Sequence, residues 1–299
     1  MKRREFAKTL TGAAIGAALS AGRLRATSPP TPSPSEASEV PFKTSVMLWT
    51  VFQKEPFEKR LEKVAEAGFR AVELVNEFAD WSENDYRRVD RKRRKLGITI
   101  DTLLAARDLA NSGRREAFLA DVRGKLTIAQ KLECPTMICM SGNAVPGMDR
   151  EAQHQSIVEG LKRGAEIVEG KGVTLLVENI DLEENPHYYL WSVPEAMEIV
   201  EEVNHPQVKF LYDFFHAQIS GGNLIAHLER HFKAVGCVHI ADVPGRHEPG
   251  TGEINYANIY KKLAELGYSG YVAMEFMPSR DPVRTLRAAR EDALRAGRV

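Results

Sequence analysis

Residues 174–213 read TLLVENIDLEENPHYYLWSVPEAMEIVEEVNHPQVKFLYD and decide the fold of the chain. Two short apolar runs, 174–179 and 208–213, each end on a polar residue, and an amphipathic segment lies between them. The Ser192-Val193-Pro194-Glu195 segment is typical of a helix start, because a serine oxygen can accept a hydrogen bond from the first free backbone N–H groups. The stretch therefore predicts a strand, a helix and a second strand, which is the repeating unit of a parallel sheet.

The same alternation continues on both sides of this unit, from Phe42 to the end of the chain. The apolar runs that we predict to be strands number eight, at 45–52, 71–75, 99–104, 136–140, 174–179, 208–213, 237–241 and 270–275. Amphipathic stretches of helical spacing separate them, and eight such units fit a single closed (β/α)8 TIM barrel over residues 42–299. The alternative is a doubly wound open sheet, which would carry a glycine-rich phosphate turn after an early strand, and residues 75–77 contain none.

The N-terminal region differs from the rest of the chain in composition. Residues 1–26 combine a basic start that includes Arg3-Arg4, a short apolar stretch from Leu10 to Ala21, and small residues near a cleavage point. This pattern is typical of a twin-arginine-type signal peptide, which directs the export of a folded protein to the periplasm; an amphipathic helix is the alternative. Residues 27–41 are rich in proline and serine, and we expect a disordered linker there.

Composition and charge exclude several classes of protein. The 299 residues include 41 Lys and Arg against 41 Asp and Glu, 43% are hydrophobic, and only 3 are cysteine. A balanced charge without like-charge blocks offers no basic surface for phosphates, so we expect no nucleic-acid partner. No apolar run reaches the ~20 residues that a membrane-spanning helix needs. We expect the three cysteines, Cys134, Cys139 and Cys237, to be buried free thiols.

Four predicted strands in the second half of the chain carry a residue that can bind a metal. Glu178, Asp213, His239 and Glu275 occupy the fifth to eighth strands, one residue on each. The carboxyl ends of the strands form the active-site face of a TIM barrel, so these side chains would converge on one point. Three carboxylates and one imidazole suit one divalent metal ion, Mn, Mg, Co or Zn. Each residue alone could instead be a helix cap, a salt-bridge partner or a hydrogen-bonded core residue.

Further polar residues are candidates for contacts with a substrate. His216, three residues after Asp213, could polarise a substrate carbonyl, and a histidine in a loop or at a helix start is the alternative. Glu184 and His187 lie in the loop after the fifth strand, where they could bind substrate or belong to a solvated acidic turn. Glu73 has a similar position on the second strand, but no second polar residue of the first half joins it, so we assign it a supporting role.

The loop at 242–253, DVPGRHEPGTGE, is the most unusual segment of the chain. Two Pro-Gly pairs and a further glycine hold Arg246 just past His239, and loops of this kind on a rigid scaffold often carry function. The guanidinium of Arg246 suits a substrate carboxylate or the oxygens of a sugar. The structural alternative is an ordered turn in which Arg246 pairs with Glu248 or Glu253.

At these residues the sequence resembles the hydroxypyruvate isomerase family, within the wider xylose-isomerase-like group of sugar isomerases and epimerases. The segments that carry the resemblance are HIADVPGRHEPGTGEINY at 239–256, VENI at 177–180, DFFHAQ at 213–218, GYSGY at 267–271 and EFMP at 275–278. The resemblance is strong from about 174 to 278 and weaker from 45 to 140. It does not extend to residues 1–26.

The resemblance implies a reaction and roles for individual residues. Enzymes of this family interconvert hydroxypyruvate and tartronate semialdehyde through an enediolate, with a metal-bound pair of glutamates as acid and base. Glu178 and Glu275 would then be both metal ligands and proton shuttles. The residues that would serve as ligands only are Asp213 and His239. The residues that would bind substrate oxygens are His216 and Arg246.

Two positions depart from the family pattern and leave the substrate open. Position 179 is Asn where the family often has proline, and position 239 is His, which is more typical of the sugar epimerases than of hydroxypyruvate isomerases. The nearest rival is therefore a ketose 3-epimerase or an aldose–ketose isomerase that acts on a free sugar. We expect a small hydroxy-carbonyl or sugar substrate as the partner, and a homo-oligomer stays open.

Two other functional classes are further alternatives. A zinc endonuclease acting on abasic DNA uses the same barrel, but it would need histidine ligands from the first strands, and no histidine precedes His154. The chain would also be mildly acidic after removal of residues 1–26, which argues against a DNA substrate. A non-catalytic exported sugar-binding module is the other alternative, and the complete set of four ligand residues argues against it.

Overall fold

The computed structural model describes residues 40–298, and its eight parallel strands close into a barrel in chain order, with β1 paired to β8. The strands are β1 (Lys43–Met47), β2 (Ala71–Leu74), β3 (Thr99–Ala106), β4 (Thr136–Met140), β5 (Thr174–Glu178), β6 (Val208–Asp213), β7 (Val235–Ile240) and β8 (Tyr271–Met274). The predicted single (β/α)8 barrel is therefore confirmed. The predicted signal peptide, 1–26, and the predicted linker up to residue 39 lie outside the described residues.

Helices cover the outside of the barrel. Within residues 40–298 they are α1 (Phe57–Glu66), α2 (Glu83–Leu96), α3 (Arg115–Leu132), α4 (Arg150–Val168), α5 (Val193–Val203), α6 (Phe214–Ser220), α7 (Leu224–His231), α8 (Tyr256–Glu265) and α9 (Pro282–Ala296). The expectation of one helix after each strand is wrong after β6, where α6 and α7 both occur. The pair Gly221-Gly222 separates these two helices, and Gly222 adopts a positive φ of 66° that favours glycine.

Local sequence accounts for several of these boundaries. Ser82 forms a capping box with Asp85 at the start of α2, and the Ser192 oxygen accepts from the N–H of Glu195 at the start of α5. The first predicted strand extended too far, because β1 ends at Met47 and residues Leu48–Thr50 form a short 3-10 helix. The apolar run continues through this turn, so hydrophobicity alone did not reveal the end of the strand.

The strands separate two apolar cores. A large core lies between the barrel and its helices, and it includes Leu175 and Val177 of β5. Leu176 faces the barrel interior, where a smaller core consists of Met47, Ile138, Leu176, Leu211 and Cys237. Because side chains alternate along a strand, Glu178 faces the same interior two residues beyond Leu176. The alternation thus directs the last polar residue of β5 into the mouth of the barrel.

Two further expectations can be compared with the described residues. Cys134, Cys139 and Cys237 are all free and buried, as predicted from their odd number and apolar surroundings. Within residues 40–298, no helix is both long enough and apolar enough to cross a membrane.

Candidate active site

The structure brings Glu178, Asp213, His239 and Glu275 together at the carboxyl end of the barrel. Glu178 and Asp213 are the last residues of β5 and β6, His239 is the penultimate residue of β7, and Glu275 directly follows β8. All four side chains are buried, and one ligand atom from each lies within 4.8 Å of the others. Four neighbouring strands therefore present four metal-binding groups to one point.

Glu275 is the most firmly held of the four residues. Its Oε1 accepts a hydrogen bond from Trp49 Nε1 at 2.7 Å, and its Oε2 lies 2.8 Å from His239 Nδ1 and 3.1 Å from Arg246 Nη2. Burial alone would raise the pKa of Glu275, but the charges of Arg246 and His239 and the hydrogen bonds hold it below its ordinary value. Glu275 is therefore an ionised carboxylate.

Glu178 occupies a different environment on the opposite flank of this group. It makes no hydrogen bond through its side chain within residues 40–298, and its Oε1 lies 3.8 Å from His239 Nδ1. Burial, together with the nearby charges of Glu275 and Asp213, raises the pKa of Glu178 to about 8. The two glutamates thus differ in protonation at neutral pH before any cation binds.

Asp213 links the site to the start of helix α6. Its Oδ1 accepts a hydrogen bond from the backbone N–H of Phe215 at 2.8 Å, while its Oδ2 lies 3.5 Å from His216 Nε2. His216 lies in α6 and not in a loop. Its Nδ1 contacts the carboxylate of Asp181. Burial alone would lower the pKa of His216, but Asp213 and Asp181 raise it above its ordinary value.

The loop after β7 is organised by the carboxylate of Asp242. This side chain accepts hydrogen bonds from four backbone N–H groups, those of Val243, Gly250, Gly252 and Ile254, at 2.8–3.0 Å. A Cβ at position 252 would lie 2.0 Å from the carbonyl oxygen of Val243, so this position requires glycine. The Pro- and Gly-rich sequence therefore forms a compact loop that holds Arg246 over the site.

Arg246 makes its ion pairs across the cavity. Its Nη1 contacts Glu184 at 2.5 Å, and its Nη2 contacts Glu275 at 3.1 Å and Asp213 at 3.8 Å. The guanidinium also lies over the rings of Trp49 and Phe215. The alternative pairings within the loop do not form, since Glu248 binds Ser279 and Glu253 accepts from Gln218.

A cavity of about 320 Å³ opens above these groups. Of the residues proposed to bind substrate, His216, Arg246 and Glu184 line it, whereas His187 is exposed and lies outside its lining. Sequence reasoning missed two lining residues, Trp49 and Arg107. Arg107 directly follows β3, and that position was the available indication; Trp49 lies in the 3-10 helix after β1, inside an apolar run that gave none. The remaining wall is largely apolar and consists of Met47, Val75, Leu104, Ile138, Met140 and Ile180, together with Asn185.

Glu73 contacts His239 directly, which is more than the supporting role assigned to it from sequence. It is fully buried, and its Oε2 lies 2.7 Å from His239 Nε2, although the two groups are not well aligned for a hydrogen bond. The other ring nitrogen of His239 faces Glu275. A carboxylate on the outer nitrogen of a ligand histidine is a common arrangement, because it fixes the tautomer and orientation of the ring.

The chemistry of the donor set fits a divalent cation. Three carboxylates converge around one imidazole, and burial of these charges without a cation is unfavourable, as the raised pKa of Glu178 shows. Carboxylate oxygens with one histidine nitrogen suit hard or borderline metals such as Mg, Mn, Co or Zn. Glu178, Asp213, His239 and Glu275 are therefore the residues that would hold such an ion.

Comparison with known proteins agrees with this architecture. Residues 61–297 match the family described as xylose isomerase-like TIM barrel. The 2-oxo-tetronate isomerase of Pectobacterium atrosepticum is 31% identical, with 79% of this chain and 92% of that protein covered. The hydroxypyruvate isomerase of Escherichia coli is 30% identical, with 78% of this chain and 93% of that protein covered.

A solved structure from Brucella melitensis, titled as an AP endonuclease of family 2, is similar over nearly its whole length. It has a TM-score of 0.75 and 32% identity, and the match covers 82% of this chain and 96% of that one. The resemblance to an isomerase family that the motifs indicated is confirmed by the two isomerase relatives. The chain belongs to the xylose isomerase-like TIM barrel family and is an enzyme of its isomerase branch.

Proposed function

We propose that this chain is a metal-dependent isomerase that interconverts hydroxypyruvate and tartronate semialdehyde, or a closely related hydroxy-keto acid, through an enediolate. The names of the relatives support isomerisation of a small hydroxy-keto acid. The observation that carries the proposal is the pair of buried glutamates, Glu178 and Glu275, in one group with Asp213 and His239. Such a pair can move a proton between adjacent carbons of a bound substrate.

The reaction requires two proton transfers at substrate carbons and one between substrate oxygens. A proton leaves C3 of hydroxypyruvate and a proton is delivered to C2, while the hydroxyl proton on C3 passes to the oxygen on C2. Glu178 has no competing hydrogen bond from a described residue, so it is the freer base for a carbon-bound proton. Glu275, fixed by Trp49 and Arg246, exchanges the second proton from a defined position.

Other side chains assist these transfers. A divalent cation held by the four ligand residues would stabilise the negative charge that develops on the substrate oxygens. His216, whose pKa is raised, lines the same cavity and can donate a hydrogen bond to a substrate oxygen. The apolar wall excludes water from the reacting carbons and strengthens these electrostatic contacts.

The decisive experiment is deuterium incorporation from heavy water, followed by NMR. The chain without residues 1–26, loaded with Mn or Mg, would be incubated with hydroxypyruvate and with several ketoses. We expect exchange into hydroxypyruvate and the appearance of tartronate semialdehyde, with loss of both after chelation. No exchange into any hydroxy-keto acid by protein that retains bound metal would refute the proposal.

A sugar epimerase or aldose–ketose isomerase is the second candidate. His239 favours it, since the family resemblance associates histidine at this position with sugar epimerases. The cavity of about 320 Å³ is also larger than a three-carbon substrate requires. Exchange confined to C3 of a ketose in the same experiment would select this candidate.

The endonuclease named by the Brucella melitensis title is not the activity that we propose. The first four strands and the residues that follow them contribute Met47, Trp49, Val75, Leu104, Arg107, Ile138 and Met140 to the cavity wall, and none of these is a histidine, cysteine, aspartate or glutamate. Additional zinc ions held by histidines would need ligands from this half. An abasic DNA duplex in the same experiment serves as a negative control for cleavage.

We also propose that residues 1–26 direct export through the twin-arginine route. The Arg3-Arg4 pair and the short apolar stretch support this proposal. Expression in a bacterium followed by cell fractionation would test it, with the double variant Arg3→Lys, Arg4→Lys beside the control Arg23→Lys, Arg25→Lys. We expect periplasmic protein for the control and cytoplasmic retention for the first variant; equal fractionation would refute the proposal.

A further inference from the structure

Arg107 is a positively charged residue of the cavity wall that takes no part in the contacts described above. It directly follows β3, is exposed, and lines the same cavity as Glu178 and Glu275. Within residues 40–298 its side chain has neither a hydrogen bond nor an ion pair to a protein group. Arg246, the other arginine of the cavity wall, contacts three carboxylates. The charge of Arg246 is therefore neutralised by protein carboxylates, whereas the guanidinium of Arg107 can bind an anion from outside the protein.

Charge balance shows why an acidic substrate needs this second arginine. Glu178, Asp213 and Glu275 carry three negative charges when they bind a metal, and Glu184 adds another beside Arg246. A divalent cation and Arg246 offset only three of these four charges, and His216 faces a further carboxylate, that of Asp181. The ligand side of the cavity therefore offers no net attraction to a carboxylate, and a substrate anion requires a further positive group.

The topology places Arg107 on the opposite wall of the cavity. In the closed strand order β3 lies across the barrel from β7, which carries His239. Arg107 is exposed, but the cavity that it lines also includes Leu104, Ile138 and Met140, so a carboxylate bound inside the cavity has apolar side chains on one side. An arginine–carboxylate contact is stronger in such surroundings than at an open surface, and its two parallel N–H donors also orient the partner.

We propose that Arg107 is the binding site for the carboxylate of a hydroxy-keto acid substrate. The inference rests on the proposed function and names the substrate feature that this site selects, an acid rather than a neutral sugar. The carboxylate binds at the β3 wall, and the hydroxy-carbonyl end faces Glu178 and Glu275. Arg246 keeps its contacts with the protein carboxylates and orders them.

Binding of an unreactive acid tests the site without turnover. Tartronate, a three-carbon hydroxy-diacid, would be titrated calorimetrically into the Mn-loaded protein and into three variants. Arg107→Met removes the charge while retaining most of the volume, and Arg107→Lys retains the charge without the forked donors. Arg114→Met is the matched control, because Arg114 shares only the neighbouring surface pocket with Arg107 and contacts Asp108.

We expect Arg107→Met to weaken tartronate binding about 10- to 100-fold, Arg107→Lys to weaken it less, and Arg114→Met to leave it unchanged. With hydroxypyruvate as substrate, Arg107→Met should raise KM with little change in kcat, and KM for neutral dihydroxyacetone should not change. Equal binding by wild type and Arg107→Met would overturn the site, as would an equal loss in Arg114→Met or no tartronate binding by wild type. Failure of the proposed function would instead appear as absent exchange into hydroxypyruvate by a wild-type protein that still binds tartronate.

Discussion

The two halves of the barrel mouth share one backbone geometry and differ in the side chains that they present. Strands β5–β8 contribute Glu178, Asp213, His239 and Glu275, which converge as one charged group. Strands β1–β4 and the residues after them contribute mainly apolar groups to the same cavity, such as Leu104 and Ile138. The fold places side chains from all eight strands at the mouth of the barrel, whereas the charged groups that can bind a metal or move a proton come from one half.

The first half also contributes two buried acidic residues to the barrel interior, beneath its mouth. Glu73 of β2 contacts the outer nitrogen of His239, and Asp101 of β3 lies buried close to Glu73. Burial and the charge of Glu73 raise the pKa of Asp101 well above its ordinary value, and the Oδ1 atom of Asp101 accepts a hydrogen bond from the Ser45 hydroxyl. The first half therefore contributes a contact to His239, a candidate metal ligand on β7.

The largest effect should come from the charged half. Glu178→Gln or Glu275→Gln should each slow deuterium exchange into the substrate about 10³-fold, because glutamine can neither accept nor return a proton at neutral pH. NMR exchange rates measure this, and circular dichroism checks the fold. The matched control is Glu183→Gln in the loop after β5, whose exposed side chain lies outside the cavity. Exchange retained in both glutamine variants would show that the charged half does not carry the proton transfers.

The next effect concerns the support that β2 gives to β7. Glu73→Gln should weaken Mn binding about 10- to 100-fold, because the ring of His239 loses the carboxylate that orients it. Calorimetric titration of the metal-free protein measures this affinity. Asp101→Asn is the control, since asparagine has nearly the same size and keeps an oxygen that can accept the hydrogen bond from Ser45. An equal loss of affinity in both variants would indicate general damage to the barrel interior and not a specific role of Glu73.

Metal binding should also depend on pH through Glu178. Its pKa of about 8 in the metal-free protein means that the carboxyl is mostly protonated at pH 7, and it must lose this proton to bind a cation. Apparent affinity should therefore fall as pH drops below 8, by up to about tenfold per unit, and proton release should accompany binding. Titrations in buffers of different ionisation enthalpy measure the release. A pH-independent affinity between 6 and 8 would contradict this assignment.

The smallest effect should come from the apolar half. Leu104→Ala should lower kcat/KM less than about tenfold, because this wall acts by packing and by exclusion of water and carries no charge. Steady-state kinetics beside Glu178→Gln gives the direct comparison between the two halves. A loss in kcat/KM near 10³-fold from Leu104→Ala would contradict the view that the apolar wall acts only by packing and exclusion of water.

Most of the fold could be predicted from sequence because the strands repeat one simple pattern. Apolar runs of five or six residues, helix caps such as Ser192 and ending polar residues such as Asp213 recur in a fixed order. The errors occur where this pattern gives no information. The end of β1 lies within a continuous apolar run, and α6 and α7 share a single connection between β6 and β7.

The site was only partly predictable for a different physical reason. A polar residue that closes an apolar strand is conspicuous, so Glu178, Asp213 and Glu275 could be selected from sequence. Arg107 follows a strand in a less distinctive context, and nothing local shows that it lines the cavity without a partner among the described residues. Trp49 lies within an apolar run, and its hydrogen bond to Glu275 spans 226 positions of the chain.

Local sequence is sufficient to set the order of elements, the alternation of inward and outward side chains, and the residue types at the strand ends. These properties follow from local periodicity and turn chemistry, which act over a few residues. Contacts between distant elements are what pair Arg246 with Glu184 and Glu275, bring Glu73 to His239, and leave Arg107 without a partner among the described residues. Closure of the barrel brings these distant groups within a few ångströms, and their charges and burial then set their pKa values and their partners.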